Sequence, residues 1–133
     1  MPFIIFDEAH KVGFKPIDSD HKKIASLANK LYRSVSKNDL SSFSLTFSEF
    51  LNALELHFRN EEKLMKENNF PGYYSHKLEH DRFYNQVLSF TKNKPGKKII
   101  IEPAKLERIR NWFFNHIEIN DRKCGEFLIN KGF

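Results

Sequence analysis

Apolar positions recur along this chain at steps of three and four, the period of an α-helix with one buried face. Four segments carry the pattern. The first spans about Ser19 to Val35, with an inward stripe of His21, Ile24, Ala28, Leu31 and Val35. The second spans about Ser42 to Met65, with Phe43, Phe47, Phe50, Leu54, His57, Glu61 and Leu64 inward, and Asp39, Ser41 and Ser42 are available as N-caps. The third starts near Pro71, since proline suits a first helical position where its missing N–H costs nothing. It carries His76, His80, Phe83, Val87 and Phe90. The fourth starts near Pro103, after Glu102, and carries Leu106, Ile109, Phe113 and His116. Gly125 is expected to interrupt the helical pattern beyond Asp121, with Phe127 and Leu128 capping the end of the molecule.

Strand alternation is nearly absent. Ile99, Ile100 and Ile101 have strand composition, but the run is too short and isolated to build a sheet. The first 17 residues contain Pro2, Gly13 and Pro16 and read as an irregular arm. Four helices of about 25 to 36 Å, at about 1.5 Å per residue, joined by short connections, fold most simply with neighbours antiparallel. The expected fold is all-α: an up-down-up-down four-helix bundle with an irregular N-terminal arm and a short C-terminal helix, residues 1–133 forming one domain.

Composition narrows the class. The chain has 133 residues, of which 40% are hydrophobic and 29% charged, enough to bury one core and too short for two ordinary domains. Cys124 is the one cysteine, so no internal disulfide and no multi-cysteine metal site is available. Cys124 itself reads as a small buried hydrophobe. No apolar run approaches the roughly 20 residues that span a bilayer, and no basic region precedes the short apolar start, so a cytoplasmic protein is expected. The net charge of +5 is spread along the chain. Its densest group, Lys92, Lys94, Lys97 and Lys98, surrounds Pro95-Gly96 and reads as a solvated loop. Neither a nucleic-acid nor a membrane partner is expected.

The informative residues are the polar ones inside the stripes. His21 lies near the start of the first helix, His57 and Glu61 near the end of the second, His76 and His80 near the start of the third, and His116 and Asp121 near the end of the fourth. In an antiparallel bundle those positions share one end of the core. Buried imidazoles and carboxylates are costly unless they are paired or bind metal. His57 and Glu61 are four apart, as are His76 and His80, so each pair shares a helical face. His116 and Asp121 are five apart, which an ideal helix would not align. Asp121 therefore needs a π-bulge, a fraying last turn or a long reach across the bundle. Seven donors exceed the four of a structural zinc site and suit two metals with bridging carboxylates. Nitrogen and oxygen donors without thiolate point to iron or manganese, and the richness in imidazole favours iron. His10 lies outside every stripe and reads as an arm residue. Glu62, Glu67, Glu79 and Glu118 read as solvated helix surface, some of them available to support the ligands.

These residues resemble the hemerythrin family, and its bacterial single-domain members most closely. The resemblance runs from Ile17-Asp18-Ser19-Asp20-His21-Lys22-Lys23 through His57-Phe58-Arg59-Asn60-Glu61-Glu62 with Met65, then Phe70-Pro71 and His76-Lys77-Leu78-Glu79-His80, to Trp112-Phe113-Phe114-Asn115-His116-Ile117 and Asp121. It implies two iron ions (Fe2+/Fe3+) joined by an oxo or hydroxo bridge. His76, His80 and His116 would hold one, His21 and His57 the other, with Glu61 and Asp121 bridging. Dioxygen would bind reversibly at the two-histidine iron, under a roof of Phe58, Trp112, Phe113 and Ile117. The chain departs from the family where Phe6 stands near a usual Trp, Asp20 replaces a usual Gln, Phe113 a usual Leu, and Cys124 a tyrosine-like position.

The function so implied is dioxygen storage, transport or delivery by a protein that is not an enzyme. The alternatives are a di-iron peroxidase or oxidase, and an oxygen or redox sensor acting in trans. A monomer is expected, with a homodimer left open.

Overall fold

The computed structural model describes residues 3–90 and 102–132, and among them every regular element is helical. Helix α1 is Lys15–Ser36, α2 is Leu40–Glu67, α3 is Tyr73–Ser89 and α4 is Pro103–His116. A π-helical turn, Ile117–Asp121, joins α4 to a short α5, Arg122–Asn130. Helix α1 packs along α2 and against α4, and α2 packs against α3, in the expected up-down-up-down bundle. Lys92, Lys94, Lys97, Lys98 and Ile99–Ile101 lie outside the described residues.

Local chemistry sets the ends. The Asp39 carboxylate accepts the Ser42 N–H at 3.1 Å and caps α2. Asn38 and Asn69, at φ 53° and 56°, turn the chain after α1 and α2 through the left-handed region that asparagine tolerates. Helix α1 begins at Lys15, four residues before the sequence pattern places it, because Pro16 sits in its first turn, where proline is tolerated, rather than breaking it. Helix α3 begins at Tyr73, not Pro71. The Tyr73 N–H closes a turn onto the Phe70 carbonyl at 3.1 Å, which leaves Pro71 in the connection.

The stripes point inward as the period requires. Leu31, Phe43, Phe50, Leu106 and Val87 are buried and fill the bundle beyond the layer of histidines, with Leu54 next to it. Each such side chain contributes roughly 1.5–3 kcal/mol by leaving water. The N-terminal arm is irregular but anchored. Asn29 holds Ile4 through both its amide atoms, at 2.6 and 2.8 Å. The Asp18 carboxylate accepts the Val12 and Gly13 N–H groups at 2.8 and 3.1 Å. Gly125 does not interrupt the C-terminal helix: it is buried inside α5. A Cβ there would lie 3.0 Å from Val12 Cγ2 and 3.2 Å from the Val12 carbonyl oxygen, so this glycine serves the close approach of the arm.

Candidate metal centre

The starts of α1 and α3 and the ends of α2 and α4 meet at one end of the bundle. They bring together all seven residues singled out from the stripes. His21, His57, Glu61, His76, His80, His116 and Asp121 are each at most 3% exposed. The five-residue step from His116 to Asp121 is taken up by the π-helical turn, where the Arg122 N–H bonds to the Ile117 carbonyl. That wider turn carries Asp121 round to the face of His116.

All five imidazoles aim Nε2 at the two carboxylates. Glu61 Oε1 faces His76 at 2.5 Å and His80 at 3.4 Å, while Oε2 faces His57 at 3.3 Å. Asp121 Oδ1 faces His76 and His116, both at 2.9 Å, while Oδ2 faces His21 at 2.7 Å. Two overlapping donor sets result: Glu61, His76, His80, His116 and Asp121, and His21, His57, Glu61 and Asp121. Within each set the donor atoms lie within 4.8 Å of one another. Each carboxylate turns one oxygen to each set.

Three of the outward ring nitrogens face further carboxylates, while His21 Nδ1 is buried without a hydrogen-bond partner. His57 Nδ1 donates to Asp20 at 2.9 Å and His80 Nδ1 to Glu62 at 2.8 Å. His116 Nδ1 lies 3.5 Å from Glu79, which also accepts from the Asn120 side chain. A carboxylate only accepts, so it fixes the proton on Nδ1 and leaves the Nε2 lone pair of the neutral ring facing the centre. Glu62 is buried, against the surface reading, and also pairs with Arg59. Its signal was in the sequence: Phe58, Glu62 and Met65, at steps of four and three, form a second inward row on α2 that Glu62 interrupts. Glu67 and Glu118 are exposed, as expected.

Electrostatics bind these groups to one another. Burial opposes charge on His57, but Asp20 and Glu61 outweigh it and raise its pKa to about 10. Burial likewise opposes charge on His76, which Asp121 and Glu61 raise to about 9. Burial and the Asp121 charge push the Glu61 carboxyl up, and the facing imidazoles overcome both to hold it well below the usual range. Asp121 is held down in the same way, against burial, by His116, His21 and His76. Burial pushes the Cys124 thiol well up, as suits a buried apolar residue.

The aromatic neighbours divide between the sets. Phe58 lies flat on His80, with centroids 4.0 Å apart, and Trp112 lies flat on His116 at 4.4 Å, backed by Phe83 at 3.7 Å. Phe113 and Phe6 stand edge-on to His21, at 5.7 and 6.1 Å. Ile117 is buried at the start of the π-helical turn. His10 stays in the arm, where its ring accepts the Asp7 N–H and stacks on Phe114 at 4.5 Å.

The donor set fits a pair of cations. Five imidazoles and two carboxylates in one dry layer are costly as free groups. Both Glu61 oxygens lie within ion-pair reach of imidazoles yet meet none in hydrogen-bonding geometry, and His57 Nε2 is likewise without a hydrogen-bond partner. Buried donor atoms left in that state suit a metal, which would displace the ring proton.

A four-helix bundle that gathers such donors at one end is a metal-binding helical protein. The profile of the family described as "Hemerythrin HHE cation binding domain" matches residues 12–128, and the chain belongs to the hemerythrin family. It is 32% identical over 118 residues to a "Hemerythrin-like protein" of Naegleria gruberi, covering 89% of this chain and 87% of that one. It is 31% identical over 114 residues to a "Bacteriohemerythrin" of Aquifex aeolicus, covering 84% and 86%. A crystal structure of wild-type hemerythrin superposes with a TM-score of 0.87 at 22% identity, over 95% of this chain and 98% of that one, a likeness of fold.

Proposed function

We propose that the chain binds dioxygen reversibly at a non-haem di-iron centre and serves in oxygen storage, transport or delivery. The observation that carries this reading is the sharing of Glu61 and Asp121 between the two donor sets, one oxygen to each. Two cations a bridging carboxylate apart satisfy that arrangement, and a single ion does not. His76, His80 and His116 would hold one iron with three imidazoles. His21 and His57 would hold the other with two, which leaves that ion short of ligands and free to take a small molecule.

When bound, the two ferrous ions supply the dioxygen-binding position and one electron each. The chain's own residues do the rest. Asp20 and Glu62 keep the Nδ1 protons of His57 and His80 and so fix both rings with Nε2 inward. Phe58 and Trp112 clamp His80 and His116 by stacking. Phe113 and Phe6 stand edge-on to His21 and keep water from its side. A dry, rigid pocket opposes proton entry and ligand exchange, which favours release of oxygen unchanged over turnover.

The test is anaerobic reconstitution with ferrous iron followed by air. Two irons per chain and an optical charge-transfer band that vanishes on deoxygenation support a carrier. Rapid peroxide consumption or irreversible bleaching supports an oxidase or peroxidase instead. One zinc and no iron in protein purified without chelator would remove the di-iron assignment.

A further inference from the structure

A surface cleft of about 250 Å3 opens between the start of α1 and the end of α2, lined by Pro16, Ile17, Ser19, Asp20, His57, Asn60, Glu61 and Leu64. His57 and Glu61 belong to the donor set with two histidines, so the cleft runs from solvent to the flank of two of the residues that would hold metal. Behind that flank Glu61 Oε1 and Oε2 and His57 Nε2 are buried and without hydrogen-bond partners. On its wall stands Asp20, whose carboxylate is 40% exposed while one oxygen accepts the His57 Nδ1 proton at 2.9 Å. Ser19 and Asn60 add uncharged oxygen donors.

We propose that this cleft is the loading port of the centre, through which hydrated divalent cations enter, with Asp20 as the carboxylate that draws them in. The proposal rests on the reading of the seven buried residues as metal ligands. A divalent ion exchanges water for oxygen donors most easily, and the path offers those first and imidazole nitrogen last. Phe58, Trp112, Phe113 and Phe6 lay apolar rings against His80, His116 and His21, and the half-exposed Glu79 carboxylate beside His116 serves the other donor set. A negative charge at the mouth of a low-dielectric cleft raises the entry rate of cations and loses that effect in salt.

The experiment measures cobalt(II) uptake by the metal-free full chain in stopped flow. Trp112, the single tryptophan, lies 4.4 Å from His116 and reports arrival of the paramagnetic ion by loss of fluorescence. Asp20→Asn keeps an acceptor for His57 and removes the charge. Its uptake should be about tenfold slower at low salt, with two cobalt ions bound at equilibrium. Asn60→Asp adds a carboxylate to the mouth without touching His57 and should speed uptake severalfold. High salt should bring all three proteins together, while Glu107→Gln, near the start of α4 at the far end of the bundle, should load like the wild type. Equal uptake rates in the wild type, Asp20→Asn and Asn60→Asp, each filling with two ions, would overturn the port and leave the ligand reading intact. A wild type that binds no cobalt would overturn both.

Discussion

Phe113 stands edge-on to His21, with ring centroids 5.7 Å apart and an interplanar angle of 82°. The two side chains come from α4 and α1, and together they wall the donor set that has only two histidines. Phe113 is 5% exposed, so its ring separates that side of the centre from water. Phe113→Leu should open space beside His21. Oxygen entry and release should quicken in stopped flow, and decay to the ferric form should quicken with them. The loss of stability should be on the order of 1 kcal/mol, as for other large-to-small apolar changes that the core can partly absorb. Unchanged kinetics with an intact iron content would place Phe113 in general packing.

Glu62 is the residue whose surface reading the fold reverses. Its Oε2 accepts from His80 Nδ1 at 2.8 Å, with Arg59 on its other oxygen. Glu62→Gln should keep the packing but weaken the carboxylate's hold on the ring proton. Metal titration of the metal-free protein should show affinity at the three-histidine set falling by about 10- to 100-fold. Glu67→Gln, an exposed change on the same helix, should leave affinity alone. Equal affinities for both variants would mean that Glu62 only packs.

What was legible in the sequence was what periodicity encodes. His21, His57, Glu61, His76, His80 and His116 sit on inward stripes whose spacing fixes their face, and antiparallel order fixes their end of the bundle. Asp121 broke the spacing by one residue, and that misfit itself pointed to the π-helical turn among the possibilities. Less legible were features set by contact between distant segments. Gly125 reads as a helix breaker until Val12 is seen pressed against it, and Pro16 reads as part of a loose arm until Asp18 is seen holding Val12 and Gly13. Asp20 was legible only as a departure from a family pattern. Its bond to His57 joins residues 37 apart in the chain, which no local rule reports.

The Gly125 contact gives a stability prediction. Gly125→Ala would set a methyl group 3.0 Å from Val12 Cγ2 and 3.2 Å from its carbonyl oxygen. Alanine favours helix by about 1 kcal/mol over glycine, but overpacking costs about 1–3 kcal/mol. The net effect in urea unfolding should be destabilising, and Val12→Ala in the same chain should relieve part of it, since the side chain can be trimmed and the carbonyl cannot. A more stable Gly125→Ala protein would show that the arm yields freely.

His10 and His57 should separate cleanly. His10 stacks on Phe114 and accepts from the Asp7 N–H at the arm, whereas His57 faces Glu61 with Nε2. His10→Ala should keep two irons and the oxygenated spectrum while costing about 0.5–1.5 kcal/mol of packing. His57→Ala should lose iron from the two-histidine set. Equal iron loss in the two variants would erase the boundary between arm and centre.

The sign of the pH dependence should reverse with metal. In metal-free protein, His57 and His76 are raised from 6.5 to about 10 and about 9, so their imidazolium–carboxylate contacts contribute fully below about pH 6.5 and are lost as pH rises through 9 to 10. Glu61 and Asp121 are held below their ordinary values of 4.5 and 3.8, so their contribution is present above those values and is lost in stronger acid. The thermal midpoint of metal-free protein should therefore peak between about pH 4.5 and 6.5 and decline toward pH 9. Metal needs the imidazoles unprotonated, so the loaded protein should gain stability over the metal-free form as pH rises from about 5 to 8, because protons then cease to compete for Nε2. Thermal unfolding of both forms across that range checks it. Parallel curves for the two forms would show that the five imidazoles do not exchange protons for metal.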